Sequence, residues 1–212
     1  TEIEEKSLIS VMFILFDDAD LRFDGTRYTL RNFERFSLYQ RFHIFFKPPE
    51  ERHIDHGGNL DDRMNAIGAT VHMPVFQSGG MLSIGDMHAS MGDGEISGTG
   101  VEIGGRGQIK VELIKNRIAE YPITETATHW YTHGAIEENG TLTEALTIAC
   151  EEAAKLLVDQ WGFTIEDAFI FLSVAGDAGI AQSTHGSAGG PGSVIARMGV
   201  PKIGACPSPF KA

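Results

Sequence analysis

The sequence lacks features that assign many chains to a class at once. Its 212 residues include two cysteines, Cys150 and Cys206, without Cys-x-x-Cys spacing, so a disulfide scaffold and a cysteine-only zinc site are excluded. Bases are scarce: 17 Lys and Arg stand against 29 Asp and Glu, with no basic cluster, which disfavours a nucleic-acid partner. Small neutral or cationic ligands and metal ions are compatible with this charge.

Long apolar runs and a basic leader are also missing from the start of the chain. Residues 8–16 are too few to span a bilayer. Glu2, Glu4 and Glu5 occupy positions where a secretion signal carries positive charge. We therefore expect a cytoplasmic protein with no membrane partner.

Motifs for nucleophilic or phosphate chemistry are absent as well. The sequence has no Gly-x-Ser-x-Gly elbow, and neither cysteine lies in a recognisable nucleophile context, so acyl-enzyme chemistry has little support. The glycine-rich run at 187–193 has no Lys after its glycines and does not fit the P-loop pattern. We interpret this run as a flexible loop of the kind that forms a lid.

Glycine and phenylalanine divide the chain into two parts. Gly25 is the only one of 25 glycines before residue 55, whereas eight of the 13 phenylalanines lie in that stretch. We therefore predict an N-terminal segment, residues 1–54, and a glycine-rich domain, residues 55–212. Within the segment, residues 7–16 fit a strand or a short helix, and residues 28–46 combine helix-like and strand-like spacing.

The glycine-rich domain is predicted to contain strands first and a helix pair afterwards. Apolar residues alternate over 69–75 and 109–113, which is typical of half-buried strands. Helical spacing begins at Thr143, and a second helix is predicted to begin at Thr164. The apolar side of this second helix is predicted to consist of Ala168, Phe169, Leu172 and Val174. The fold class is therefore α+β: a β-rich body, sandwich- or barrel-like, with two helices near residues 143–175 packed on one side.

Chemically useful side chains concentrate in two short segments. The segment 55–63 carries an imidazole, an amide and carboxylates around two glycines. The segment 85–95 begins as a predicted strand, in which Asp86 and His88 project from the same face. A glycine turn follows, after which Glu95 is predicted to begin a return strand close to that pair.

These groups form a ligand set with a recognisable chemistry. A carboxylate, an imidazole and a second carboxylate suit zinc or a similar divalent ion, and an oxygen-rich version suits calcium. Each segment taken alone is compatible with a plain glycine turn and a hydrogen-bonded histidine. Together the two segments favour a metal-binding site.

A third candidate segment, residues 125–133, contains His129 and His133. His-x-x-x-His on a helix is a metal signature, but the β-branched and aromatic neighbours favour a strand. We expect His129 to line a pocket and His133 to have a structural or surface role.

Several runs of the glycine-rich domain occur in a fixed order that points to a family. The most specific is residues 85–95, GDMHASMGDGE. The others are GGNLD at 57–61, MPV at 73–75, ETATH at 125–129, EDA at 166–168, SVAGD at 173–177 and IAQ at 180–182. Over about residues 52–203 they resemble the acetamidase/formamidase family, whereas residues 1–50 do not resemble the portion that precedes these motifs in the family. The resemblance implies hydrolysis of short linear amides, such as formamide or acetamide, to the carboxylate and ammonia.

The resemblance and the ligand chemistry together predict a metal-dependent hydrolase. Asp61, Asp86 and His88 would hold a divalent ion, zinc before calcium. Glu95 would be the catalytic proton shuttle, which takes a proton from water and passes it to the leaving nitrogen. Two alternatives stay open at this point: Glu95 as a metal ligand, and Asp61 outside the metal's ligands.

Three more side chains are candidates for substrate binding or for support of the metal ligands. Asn59 would donate its amide N–H to the developing oxyanion. Asp93 would orient His88, and His129 would line the substrate pocket.

Two other function classes are compatible with the same residues. One is a non-catalytic β-protein whose carboxylates bind a metal such as calcium for stability. The other is a metal-dependent hydrolase or lyase of another small polar substrate. In each case we expect a homo-oligomer, because a β-rich chain has sheet edges to protect.

Overall fold

A computed structural model describes most of the chain from residue 60 onward and four strands before it. The described residues are 7–17, 21–23, 28–30, 39–43, 60–76, 82–115, 119–136, 140–184, 194–207 and 209. The elements in these ranges are β1 (Ser7–Asp17), β2 (Leu21–Phe23), β3 (Tyr28–Leu30), β4 (Tyr39–His43), β5 (Thr70–Val75), β6 (Ser83–His88), β7 (Arg106–Lys115), β8 (Ile123–Glu125), β9 (His129–Ile136), α1 (Leu142–Trp161), α2 (Ile165–Ala175), β10 (Asp177–Ser183) and β11 (Val194–Pro201).

The body is a seven-stranded antiparallel sheet with the strand order β10-β11-β9-β8-β5-β1-β7. Strands β2 and β3 form one separate two-stranded ribbon, and β4 and β6 form another. Helix α1 packs on β9 and β11, and α2 packs against α1. The predicted α+β class, a β-rich body with a helix pair on one side, is confirmed. Neither described helix combines the length and the apolarity needed to cross a membrane.

The first strand lies inside this sheet. β1 pairs with β5, in a register that runs from Ser7 opposite Val75 to Met12 opposite Thr70, and it pairs with β7 on its other side. Leu8 is fully buried. The stretch that fits a strand or a short helix is therefore a strand, and the sheet extends across the change in composition near residue 54.

Strand β9 shows how the sheet separates the helices from the segments that carry the candidate site. Alternate residues of a strand point to opposite faces of the sheet. Thr132 faces α1, where its hydroxyl donates to the carbonyl oxygen of Ala149 at 2.7 Å. His133 points to the opposite face, where its Nε2 lies 2.9 Å from Asp62 Oδ2. The helices therefore cover one face of the sheet, and the segment that contains Asp62 covers the other.

Both helices begin after capping threonines. The Thr141 hydroxyl accepts from the backbone N–H of Glu144 at 3.2 Å, and Glu144 Oε2 accepts from the backbone N–H of Thr141 at 2.8 Å. This capping box places the start of α1 slightly before the predicted Thr143. Thr164 caps α2 as predicted and accepts from the backbone N–H of Asp167 at 3.1 Å.

The buried side of α2 is narrower than the sequence predicts. Ala168 and Leu172 are buried, but Phe169 is 43% exposed and Val174 is 82% exposed. Assigning Phe169 and Val174 to the buried side is therefore wrong. The helix packs on α1 and β11 through one face, so apolar residues beyond that face stay in solvent.

Candidate active site

Strand β6 brings Asp86 and His88 together. The β4–β6 register passes from Gly85 to Met87 without pairing Asp86, which therefore forms a β-bulge. The φ of Asp86 is 60°, a left-handed conformation that is uncommon outside glycine and recurs at functional sites. Asp86 Oδ1 lies 3.8 Å from Nε2 of the buried His88.

The side chain of Glu95 approaches His88 from a turn. The prediction that Glu95 begins a return strand is wrong: residues 92–98 form a turn, and the return begins at Val101, whose N–H donates to Ser90 O at 2.9 Å. Glu95 has a left-handed φ of 39°. Its side chain is 1% exposed, and its Oε1 lies 4.0 Å from His88 Nε2. The turn therefore buries the carboxyl beside the imidazole.

Glu102 is a further neighbour of His88. Its Oε1 lies 2.8 Å from His88 Nε2 and accepts from the Thr99 hydroxyl at 2.9 Å. This approach needs Gly100, because a Cβ at that position would lie 2.8 Å from the imidazole Cγ. Ligand atoms of Asp86, His88 and Glu102 all lie within 4.8 Å of one another, a spacing that could hold a metal ion.

Gln182 joins Asp61 to Glu95. Its Nε2 donates to Asp61 Oδ2 at 2.6 Å and to Glu95 Oε2 at 2.8 Å. The β10–β11 register leaves Ala181 unpaired, and this β-bulge turns Gln182 toward the site. A bridge between Gly94 and Gln182 holds the turn of Glu95 against β10. Asp61, Glu95 and Gln182 are all buried, and we refer to them as the buried triad.

The Glu95 carboxyl is a much weaker acid than an ordinary glutamate. Burial raises its pKa to about 7. The hydrogen bond from Gln182 and the neighbouring His88 oppose this rise, whereas the Asp61 carboxylate adds to it. A carboxyl with such a pKa can both take and give a proton near neutral pH, as general acid–base catalysis requires.

Arg197 supports the buried triad from the sheet. Its Nη1 donates to Asp62 Oδ1 at 3.1 Å and to the carbonyl oxygen of Ile180 at 3.2 Å. Its Nη2 donates to Asp93 Oδ2 at 2.9 Å. Each of these three partners lies one or two positions from a member of the buried triad, so one guanidinium fixes three chain segments.

Asp62 is the anionic centre of this support. It contacts His133 Nε2 in addition to Arg197, and the other ring nitrogen, Nδ1, contacts Pro122 O at 2.8 Å. Burial alone would raise the pKa of Asp62, but the hydrogen bond with His133 and the charge of Arg197 hold it below its ordinary value. Of the two roles considered for His133, the structural one is observed.

Removing the guanidinium should destabilise the fold more than the loss of a surface ion pair does. Arg197→Gln leaves the buried Asp62 carboxylate without its cation, and we expect the free energy of unfolding in urea to fall by about 3–5 kcal/mol. Lys110→Gln removes an exposed ion pair with Glu112 and is the control, with an expected loss under about 1 kcal/mol. Equal losses in the two variants would contradict the support assigned to Arg197.

Asp93 has different partners from the one predicted. Its Oδ1 lies 3.1 Å from Arg63 Nε, and its Oδ2 accepts from Arg197. These contacts replace the expected interaction with His88. Asp93 thus ties the turn of Glu95 to the arginines.

The last two candidates are His129 and Asn59. His129 is half-buried and stacks on Tyr131, with 5.5 Å between the ring centroids. Asn59 and the glycine-rich run 187–193, which the sequence predicts to be a flexible loop, fall outside the described residues. The roles of Asn59 at the oxyanion and of His129 in the substrate pocket stay predictions.

Glu102 and Gln182 are the site residues that spacing along the chain does not reveal. The sequence indicates Gln182 only weakly as a site residue, because it is the polar residue in the otherwise apolar run 180–182. The resemblance to the family assigns it no role. The approach of Glu102 to His88 depends on the close packing at Gly100, which has no signature in residue spacing.

Known proteins resemble this chain in sequence and in fold. Residues 48–201 match the model of the Acetamidase/Formamidase family. The chain is 34% identical to the acetamidase of Mycolicibacterium smegmatis over an alignment of 148 positions that covers 60% of this chain and 35% of that protein. It is 47% identical to the formamidase of Methylophilus methylotrophus over 70 residues, 32% of this chain and 17% of that protein. The acetamidase structure from Bacillus halodurans has a TM-score of 0.75 at 27% identity, covering 92% of this chain and 73% of that one.

These matches identify the family and show how much of its relatives' length this chain covers. The chain spans about a third of the length of the Mycolicibacterium acetamidase and less of the Methylophilus formamidase. The family model nevertheless matches well over half of the chain, including the buried triad and its supports. This chain belongs to the acetamidase/formamidase family.

Proposed function

We propose that the chain carries the active site of a metal-dependent hydrolase, which cleaves the C–N bond of short linear amides to a carboxylate and ammonia. The observation that carries this proposal is the buried Glu95 carboxyl, set between Gln182 and the imidazole of His88, which Asp86 and Glu102 also approach. Membership of the family and similarity to proteins named acetamidase and formamidase support the substrate class.

Glu95 would move the proton in this reaction. Its Oε2 accepts from Gln182, which fixes the carboxyl in place. Its Oε1 has no hydrogen-bond partner among the described residues. This oxygen can therefore take a proton from the attacking water and give it to the leaving nitrogen, which departs as ammonia.

The residues around His88 fit a divalent metal ion. In the part of the chain that the structure describes, His88 Nε2 is buried and faces Glu102 Oε1 without the geometry of a hydrogen bond. An imidazole nitrogen beside carboxylate oxygens is a donor set for a shared cation. We assign Asp86 and His88 as ligands, with a third from Asp61, which the sequence favours, or from Glu102. A bound ion would polarise the amide carbonyl and lower the pKa of a water molecule.

The identity of the bound ion would distinguish a catalytic metal site from a purely structural one. The imidazole favours zinc, whereas the carboxylates favour calcium, which could serve stability alone. The position of Glu95 favours catalysis, because its buried Oε1 lies 4.0 Å from His88 Nε2, where it could exchange a proton with a water molecule on a bound ion.

Ammonia release from formamide, acetamide and urea tests the proposed function. We expect release from the two amides and not from urea, with the activity lost after chelation and restored by zinc. A metal-loaded protein that releases no ammonia from either amide would contradict the proposal. Activity that survives complete removal of the metal would contradict the metal dependence and leave the amidase function standing.

A further inference from the structure

We infer that Gln182 recognises the substrate nitrogen: its side-chain oxygen, Oε1, accepts a hydrogen bond from an N–H of the amide. This inference rests on the proposed amidase function and deepens it, because it names the residue that selects an amide over an ester. It gives Gln182 a second role beside the joining of Asp61 and Glu95.

The orientation of the Gln182 side chain follows from its neighbours. Its Nε2 lies 2.6 Å from Asp61 Oδ2 and 2.8 Å from Glu95 Oε2, and carboxylate oxygens are hydrogen-bond acceptors. Turning the amide over would set its oxygen against both carboxyl groups and lose two hydrogen bonds. The nitrogen therefore faces the carboxyl groups, and Oε1 points away from them.

Oε1 of Gln182 is a buried acceptor. The residue is 1% exposed, and none of the described residues donates a hydrogen bond to this oxygen. Buried side-chain oxygens nearly always have a donor, because desolvating one without compensation is unfavourable. Oε1 of Glu95 is a second buried acceptor without a described partner. The proposed proton transfer uses Glu95 Oε1, so Gln182 Oε1 is the acceptor that needs an N–H donor from the ligand.

The nitrogen of an unsubstituted amide meets this requirement. It carries two N–H donors, one of which can be donated to Gln182 Oε1, and the departing ammonia keeps that donor. An ester of the same size has no donor at this position and would set its own oxygen against Gln182 Oε1. A site built around buried acceptors rejects a ligand that lacks the matching donor.

The backbone around Gln182 keeps the acceptor in place. The bulge at Ala181 and the bridge to Gly94 fix the strand, and the Ser183 N–H donates to Gly94 O at 2.6 Å. With Nε2 also bonded twice, the side chain has little freedom to turn toward another donor. A fixed acceptor discriminates between ligands because no rearrangement can compensate for a missing donor.

The test compares kcat/KM for acetamide and for methyl acetate, which both yield acetate. Gln182→Met keeps the length of the side chain but removes both polar atoms. We expect its kcat/KM for acetamide to fall about 10- to 100-fold more than its kcat/KM for methyl acetate. If methyl acetate is not turned over, its Ki against acetamide hydrolysis replaces its kcat/KM. In Gln182→Glu the new carboxyl lies against those of Asp61 and Glu95, so we expect it to be protonated, with its O–H donating to one of them and its other oxygen accepting from the substrate. We expect this variant to retain the preference for acetamide at a lower overall rate.

The outcomes separate the inference from the function on which it rests. Equal falls for both substrates in Gln182→Met would overturn the inference and leave Gln182 as a positioning residue for Asp61 and Glu95. Loss of the amide preference in Gln182→Glu would also overturn the inference. If circular dichroism shows that Gln182→Met does not fold, the result for Gln182→Glu alone tests the inference. A wild type that releases no acetate from acetamide contradicts the proposed function itself, and the inference falls with it.

Discussion

The Glu95→Gln variant is expected to release ammonia from acetamide about 10³-fold more slowly than the wild type. The substitution keeps the size of the side chain and an oxygen that can accept from Gln182, but the new amide cannot take or give the proton. General acid–base catalysis contributes about 10²- to 10⁴-fold to enzymatic rates, which sets the expected scale. The measurement is kcat at saturating acetamide.

Glu112→Gln is the matched control for this variant, because Glu112 is an exposed glutamate on β7 that pairs with Lys110. Its kcat should equal that of the wild type. Glu95→Gln should keep its fold by circular dichroism, because neutralising Glu95 removes its repulsion with Asp61. Near-normal turnover in a folded Glu95→Gln protein would be incompatible with a proton shuttle at this position.

The second large effect is expected in His88→Ala, which should lose its metal and its amidase activity together. His88 supplies the imidazole of the cluster with Asp86 and Glu102, and its nitrogen is buried. Changing groups that merely support metal ligands already costs about 10- to 100-fold in affinity, so removing a ligand should cost at least as much. Metal per chain, determined by elemental mass spectrometry after dialysis, is measured beside ammonia release.

Two carboxylate variants then identify the third ligand. Asp61→Asn should lose metal if Asp61 is a ligand, and Glu102→Gln should lose metal if Glu102 is. Glu112→Gln serves again as the control and should keep its metal. Full metal content in His88→Ala would show that the ion is not bound at this cluster.

Local patterns predict much of the fold. The alternation over 69–75 corresponds to β5, and Thr164 caps α2 where expected, because both features depend on residues within one turn or one strand. The prediction that β5 is half-buried is wrong, because both of its faces are covered from Val71 to Val75. The start of α1 differs slightly because the capping box uses Thr141 rather than Thr143. The exposed side of α2 could not be foreseen, since its extent depends on where α1 and β11 lie.

The sequence predicts the part of the candidate site whose residues lie close together along the chain. Asp86, His88 and Glu95 follow one another along a strand and a turn, so their proximity is visible in the spacing. Gln182 and Arg197 contact the segment of Asp61 across 121 and 135 residues of chain. Those contacts depend on the order of strands in the sheet, which residue spacing does not determine.

Backbone geometry at the site is the other part that the sequence does not reveal. A left-handed conformation is uncommon for a residue with a side chain, so a return strand is the natural expectation at Glu95. The observed φ of 39° at Glu95 and of 60° at Asp86 is tolerated because the packing around the two residues holds them there. Local rules fail in this way mainly at functional sites.

Metal content and acetamide turnover, measured on the same Glu95→Gln sample, test most directly whether Glu95 moves the proton beside a metal ion. We predict the same metal content as in the wild type, with ammonia release lost. Loss of the metal would make Glu95 a ligand, and unchanged turnover would remove Glu95 from the reaction. Either result would contradict the role assigned to it here.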